Sequence, residues 1–295
     1  MKRWRKIRER AIEYFLMLNG LLAVGILLAI LFLLLKESLP AFREMPFIRT
    51  LGGTRWNPSG YTQPGYGILG MVVSTMMVTL GALLLAAPAG LACAVYIAEL
   101  ASPRIRELSK PIVESLAGIP SVVVGFLGIV LVGPVVARLF GLTHGLNALN
   151  GAVLLAVMSL PTIVSISEDA LRAVPGEYKD ASLALGATQW QTLWRVTVPA
   201  AGSGIIASFM LGMGRAIGET MTVLMATGNA TAIPHTLLDP VRTMTATIAI
   251  ELGEVPYGTL HYHALFVVGF ILFVMTFVVN LMADLILQRF QQVRR

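Results

Sequence analysis

Apolar residues run along this chain in long uncharged stretches rather than in the short alternations of a soluble fold. Five of them, 15–35, 71–91, 115–136, 149–167 and 265–283, contain no Asp, Glu, Lys or Arg. A sixth, 205–225, is as long but carries Arg215 and Glu219. A helix rises about 1.5 Å per residue and the hydrocarbon core of a bilayer is about 30 Å thick, so roughly 20 apolar residues cross it. Lipid offers backbone amides no partner, so each run predicts a helix. Prolines inside three runs (Pro88; Pro120 and Pro134; Pro161) predict kinks or broken turns.

The longest polar intervals are 36–70, 168–204 and 226–264, none of them able to fold as a separate soluble domain. There is no internal repeat and no low-complexity tract. The first run is too long for a cleaved signal, and Lys36-Glu37-Ser38 follows it without a small-residue cleavage pattern, so it reads as an anchor. This divides the chain into an N-terminal tail, anchor and external loop (1–66), a membrane domain (67–288) and a short tail (289–295).

Composition agrees. Charged residues are 13% of the 295 and hydrophobic ones 56%, against about 25% charged in an average globular chain. Such a chain cannot cover a soluble globule with polar groups, nor is it polar enough to be disordered. A single cysteine, Cys93, excludes an internal disulfide and argues against a cysteine metal site. The net charge of +6 is a matter of topology rather than of nucleic-acid binding. Fifteen Lys and Arg residues fall on the side of the N-terminus, the 101–114 and 168–204 intervals and the C-terminus, against five on the other side. The positive-inside rule then places both termini in the cytoplasm of a multi-pass protein.

Several chemistries are missing. None of the five lysines follows a glycine, so there is no Walker A loop. The four histidines form no His-Glu-x-x-His, and no Gly-x-Ser-x-Gly occurs. Residues 65–70 match the dinucleotide fingerprint but lead into a membrane run, and read as a flexible lead-in to the second span. No catalytic residue, metal site or cofactor is expected, and the 14 methionines read as deformable packing.

Two stretches carry candidate chemistry. Residues 177–199, from Glu177 to Pro199, read as two short helical pieces joined at Gly186 and closed by Pro199. Leu183, Ala187, Trp190 and Trp194 recur at helical spacing as an apolar stripe. The tryptophans suit either interfacial anchors or a knob inserted into a partner's groove. In the fifth run Arg215 sits at the centre, with Glu219 one turn later on the same face. Each unpaired charge at mid-bilayer costs about 2.5–3.5 kcal/mol or more, so the two pair with each other, meet another helix, or line a wet path. Gly214 and Gly218 form a small-xxx-small pair that permits close helix approach. An arginine fork suits a tetrahedral oxyanion. A nearby carboxylate would repel sulfate yet accept a hydrogen bond from the P–OH of protonated phosphate. Thr243 and Thr245, in a segment too polar to span, read as a satisfied turn or as hydroxyls along an oxyanion path.

The spacing of Asp180-Ala181-Ser182, Gly186, Val196, Val198 and Pro199 resembles the coupling-loop motif of ABC importer permeases, with Asp for the usual Glu and Ser for Ala. Thr54-Arg55-Trp56-Asn57-Pro58, Ala117–Val123, Gly214–Met221 and Leu238–Ala246 resemble the PstC-type permeases of phosphate importers more than their PstA-type companions. The resemblance covers about residues 54–288. It implies an all-α, six-helix type I permease in the bacterial inner membrane, paired with a PstA-like permease, two ATPase subunits and an extracytoplasmic phosphate-binding protein. It also implies that Asp180, Ala181, Gly186 and Pro199 face the ATPase, for which Trp190 and Trp194 would be the knob, and that Arg215 and Glu219 attend phosphate passage. Competing readings are a permease for molybdate, sulfate or phosphonate, a passive anion channel, and an intramembrane enzyme using Glu219.

Overall fold

The computed structural model describes the backbone of residues 2–60 and 64–292, and no side chain at 2–8, 11, 47, 283 or 286–292. The basic cluster Lys2–Arg8 and Arg289, Arg294 and Arg295 therefore lie outside the described side chains.

Helix α1 (Lys2–Glu44) extends the first apolar run at both ends. After α2 (Phe47–Gly52), strands β1 (Trp56–Asn57) and β2 (Gly65–Tyr66) pair antiparallel as a two-residue hairpin. Helix α3 (Leu69–Val95) continues through a π turn to Leu100. The glycines at the start of this span are not a flexible lead-in. Gly67 donates to the Arg55 carbonyl at 2.9 Å, and Leu69 to that of Gly53 at 3.1 Å. A Cβ on Gly53 or Gly67 would collide with the other's backbone, so these glycines serve close approach.

The third apolar run is not one helix. Residues 103–116 form a separate amphipathic helix, α4 (Pro103–Leu116), and the span begins only at α5 (Ser121–Leu127). Gly118 and Pro120 between them explain the break, since Pro120 disfavours α geometry in the residue before it. A π turn (Gly128–Val132) then leads into α6 (Gly133–Phe140). Helix α7 (Ala148–Arg172) runs through Pro161 as α3 runs through Pro88. The next interval holds α8 (Gly176–Ala184), α9 (Gln189–Thr192), a π turn (Leu193–Thr197) and α10 (Val198–Ala200).

The fifth run is broken as well: α11 (Gly202–Gly218) ends before Glu219, and α12 (Met221–Ala226) follows. Pro199 does not close the preceding helix. The chain bends by 66° where the 189–200 stretch meets α11. Helix α13 (Met244–Glu251) and the long α14 (Leu260–Gln292) complete the chain. Among the described residues five helices are long and apolar enough to span, and the count is six if the bent pair makes one crossing.

Helices α3 and α7 form the centre. Val78, Ala82 and Ala86 of α3 pack on Ala152, Leu155 and Ile163 of α7, with Ala216 and Val223 from the fifth span. A second cluster at the β-hairpin end joins Ala41, Trp56, Ile68 and Met71 to Leu265 and Val268 of α14. A third, at the opposite end, gathers Ala94, Ile97, Leu171, Leu193 and Ile205 beneath the 176–200 loop. The small residues that bring α11 against α7 are Gly204 and Gly212. A Cβ on either would collide with Ala170 or Ile163 respectively. Gly214 instead faces Asn280 of α14, and the side of Gly218 opens on empty space. The expected Gly214/Gly218 contact is thus only half realised, because α11 ends at Gly218.

Candidate functional site

Arg215 lies in the last turn of α11, about 20 Å from its Gly202 end at ~1.5 Å per residue. It is exposed on the outer face of this chain, with exposed Leu211 one turn before it and Met221 beyond the break. It does not pair with Glu219. Among the described residues Arg215 has neither an ion pair nor a hydrogen bond from its guanidinium.

The reason lies in the backbone. Glu219 has φ −70° and ψ 133°, which turns the chain after it off the helix and brings the start of α12 to its carboxylate. Its Oε1 accepts the Thr222 N–H at 3.3 Å and so caps the first turn of α12. The Glu219 carbonyl, released from the helix, accepts the Thr245 hydroxyl at 2.8 Å. A charged pair expected on one continuous face is therefore an unpaired guanidinium beside a helix break.

Thr243 and Thr245 are folded back into the bundle, 3% and 7% exposed. The Thr243 hydroxyl lies 3.0 Å from that of Thr245 and accepts the Ala246 N–H at 3.2 Å, capping α13. Both hydroxyls are engaged in turns and caps. Glu219, Thr243 and Thr245 come together where α13 buttresses the break in the fifth span, while Arg215 lies one turn before the break, outside these contacts.

The 176–200 loop supplies the second candidate. Gly186 joins its two pieces at φ +86°, a left-handed conformation. Its N–H bonds to the Leu183 carbonyl at 2.9 Å and that of Ala187 to Ser182 at 3.2 Å. These are the paired closures of a Schellman motif, in which glycine avoids the penalty of a Cβ. Thr188 and Gln191 form a reciprocal capping box that starts α9. Ser182 Oγ lies 2.9 Å from Thr192 Oγ1, fastening one piece to the other.

Because the helix breaks at Gly186, the four apolar positions do not form a single stripe. Leu183 and Trp190 instead line a groove of about 580 Å³ with Glu99, Leu100, Lys179 and Thr197. Trp190 and Trp194 meet edge to face at 5.7 Å and are 61% and 43% exposed, a large apolar surface for a loop. Asp180, Ala181 and Pro199 are exposed too. Lys179 Nζ reaches Glu99 Oε1 at 2.6 Å, tying the loop to the end of the second span.

One cluster at this end escaped the sequence reading. Glu168, 1% exposed, receives Lys110 at 2.7 Å and Arg172 at 3.3 Å. Lys110 also contacts Asp169 at 2.7 Å, and these hydrogen bonds, to Asp169 first and then Glu168, raise its pKa. The signal was Glu168 itself, an acid that directly follows the uncharged run 149–167 and continues its helix.

A polytopic helical bundle with an unpaired arginine at a broken span, and a helical loop exposing two tryptophans at one end, belongs to the class of membrane transport permeases. Residues 86–292 match the family described as the inner membrane component of binding-protein-dependent transport systems, and the chain belongs to that family. It is 39% identical over 230 residues to the probable ABC transporter permease protein YqgH of Bacillus subtilis, covering 78% of this chain and 74% of that one. It is 32% identical over 307 residues to the phosphate transport system permease protein PstC of Xylella fastidiosa, covering 97% and 93%. A bacterial alginate ABC transporter, solved in complex with an alginate-bound periplasmic protein, shares the fold with a TM-score of 0.64 at 17% identity, covering 97% of each chain. The inward-facing MetNI methionine ABC transporter does so at 0.57 and 18%, over 76% of this chain and 95% of the other. This is a multi-pass membrane permease, and its relatives are transport proteins rather than enzymes.

Proposed function

We propose that this chain is one of two homologous permeases, the other PstA-like, that together line a path for phosphate across the bacterial inner membrane. Two copies of an ATPase subunit grip the 177–199 loop from the cytoplasm, and an extracytoplasmic phosphate-binding protein delivers the anion. Residues 67–288 are the transport domain.

The observation that carries this reading is Arg215, a guanidinium without a partner among the described residues, set in an apolar run long enough to cross a bilayer. A companion chain must cover that face, and a bidentate fork in a lipid-shielded site suits a tetrahedral oxyanion. The similarity to phosphate transport permeases over nearly the whole chain supports the choice of solute. With one Glu219 oxygen on the Thr222 amide, the other stays available to a protonated phosphate.

The test is uptake of radiolabelled phosphate by vesicles holding the full assembly. Arg215→Leu abolishes uptake and Arg215→Lys retains only a fraction, since an ammonium lacks the fork. Wild-type rates from Arg215→Leu would remove Arg215 from the path. Competition by molybdate, sulfate or phosphonate that matches phosphate would assign a different oxyanion. Glu219→Gln that leaves sulfate as poorly accepted as before removes the carboxylate as filter.

A further inference from the structure

The partly buried carboxylate of Glu251 lies at the far end of α13 from the fifth-span break. It is 15% exposed and takes donors from three separate parts of the chain. Trp56 Nε1, from the β-hairpin, lies 3.0 Å from both of its oxygens. Arg242 Nη1, from the segment preceding α13, reaches Oε1 at 2.8 Å, and His261 Nε2, from the first turn of α14, lies 2.8 Å from Oε2. Arg242 also donates through Nε to the Asn229 carbonyl at 3.0 Å, which closes the segment after α12. The hub borders a cavity of about 370 Å³ open at the hairpin end.

Helix α13 is eight residues long, about 12 Å. Its first turn is held by the Thr245 hydroxyl on the Glu219 carbonyl and by the Met244 N–H on Thr75 Oγ1 at 3.1 Å. A stiff helix pinned at both ends acts as a strut. The geometry points to Glu251 as a positioning residue for the pathway: by gathering Trp56, Arg242 and His261 it sets the height of α13, and through Thr245 it holds the Glu219 break in register beside Arg215. The chain requires such a strut because the break leaves the Glu219 carbonyl without a partner in α11. An unsatisfied carbonyl inside a membrane is costly, and Thr245 supplies its bond only while α13 stays in place.

This inference rests on the pathway reading for its meaning but not for its test. In the full assembly, with Cys93→Ala, a cysteine is placed by Met221→Cys beside the break, and its reaction rate with a charged thiosulfonate is measured without phosphate. Glu251→Gln and Thr245→Val should each speed labelling roughly tenfold, the factor carried by one lost charge-assisted hydrogen bond or its equivalent. Their combination should be no faster than either alone, because both cut the same strut. Glu251→Asp should restore most of the protection. Additive acceleration, or labelling unchanged by Glu251→Gln, overturns the strut. If Glu251→Gln fails to insert, Trp56→Phe, which removes one donor and keeps the aromatic packing, takes its place with the same double-variant comparison. A chain that carries some other anion would still give these labelling results, so the two failures are distinguishable.

Discussion

Replacement of Gly186 isolates the part that backbone geometry plays in docking. At φ +86° the residue sits where L side chains are strained, yet a Cβ built there meets nothing within 4 Å. The cost of Gly186→Ala is therefore conformational alone, about 1–2 kcal/mol. That reduces the advantage of the native loop over its alternatives by a factor of roughly 5–30. Gly186→Pro is more severe. It fixes φ near −65° and removes the N–H that bonds to Leu183, worth about 1 kcal/mol more, so the Schellman closure cannot form. The assay is titration of the ATPase subunit onto the purified permease pair, alongside ATP-driven uptake in vesicles. Alanine should weaken apparent affinity by up to that factor, and proline should abolish coupled uptake while the chain still inserts. Gly176→Ala is the control: it lies at the start of α8, its Cβ meets nothing either, and its φ is ordinary. It should be neutral. Docking through this loop is refuted by wild-type coupling from Gly186→Pro, and the backbone argument by equal losses from the two alanine variants.

Two further outcomes follow from buried and capped groups. Asn150, fully buried, donates to the carbonyls of Gly128 at 3.0 Å and Ala226 at 3.2 Å, holding the π turn of the third span to the fifth. Asn150→Leu removes both bonds, leaving Gly128 only the Gly133 N–H, and should destabilise the purified protein by about 1–3 kcal/mol, read as a lower thermal midpoint; an unchanged midpoint contradicts the assignment. Asp239 is held below the usual carboxylate range by the N–H groups of Thr236 and then His235. Its folded pKa is depressed, so the ordering of the 234–239 turn is present above the unfolded value and lost as pH falls through the folded one. Hydrogen exchange of the Thr236 amide should stay protected at neutral pH and lose that protection only below about pH 4; loss of protection already near neutral pH would refute control by Asp239.

The spans were legible because an uncharged run of sufficient length has one stable solution in lipid, and the five uncharged runs each match a spanning helix with its ends shifted, while the charged one is bent and broken. Ends were misjudged where polarity and helix parted company. Residues 117–120 are apolar, yet Gly118 and Pro120 place them in a turn, while Glu168 and Arg172 are charged and helical, with Lys110, fifty-eight positions before Glu168, paired to it. Arg215 announced itself as a charge in an apolar run. That Glu219 would cap α12 instead of pairing with it depended on Thr245, twenty-six positions on, and no local pattern carries that. The same holds for the loop: the Gly186 turn was readable from one residue, whereas the Trp190 groove needed Glu99 and Leu100 from the end of the second span.

Under the transport reading, the two sites are linked by α11. Its lower end receives the loop at a 66° bend, and its upper end carries Arg215. Between them it rests on α7 through Gly204 and Gly212, with Ser208 Oγ 2.7 Å from Ser167 Oγ and Ser159 Oγ 3.4 Å from the Gly212 carbonyl. An interface of small residues and few hydrogen bonds offers little interlocking, which suits small shear of one helix past another. The break at Glu219 then has a mechanical reason. A continuous helix would carry any displacement at the loop straight into α12 and the central cluster, where Thr222 and Val223 are buried. With the helix interrupted and α13 holding the next segment, displacement reaches Arg215 and is absorbed in the two residues after Gly218, so the solute-facing cation moves while the outer half of the bundle stays closed.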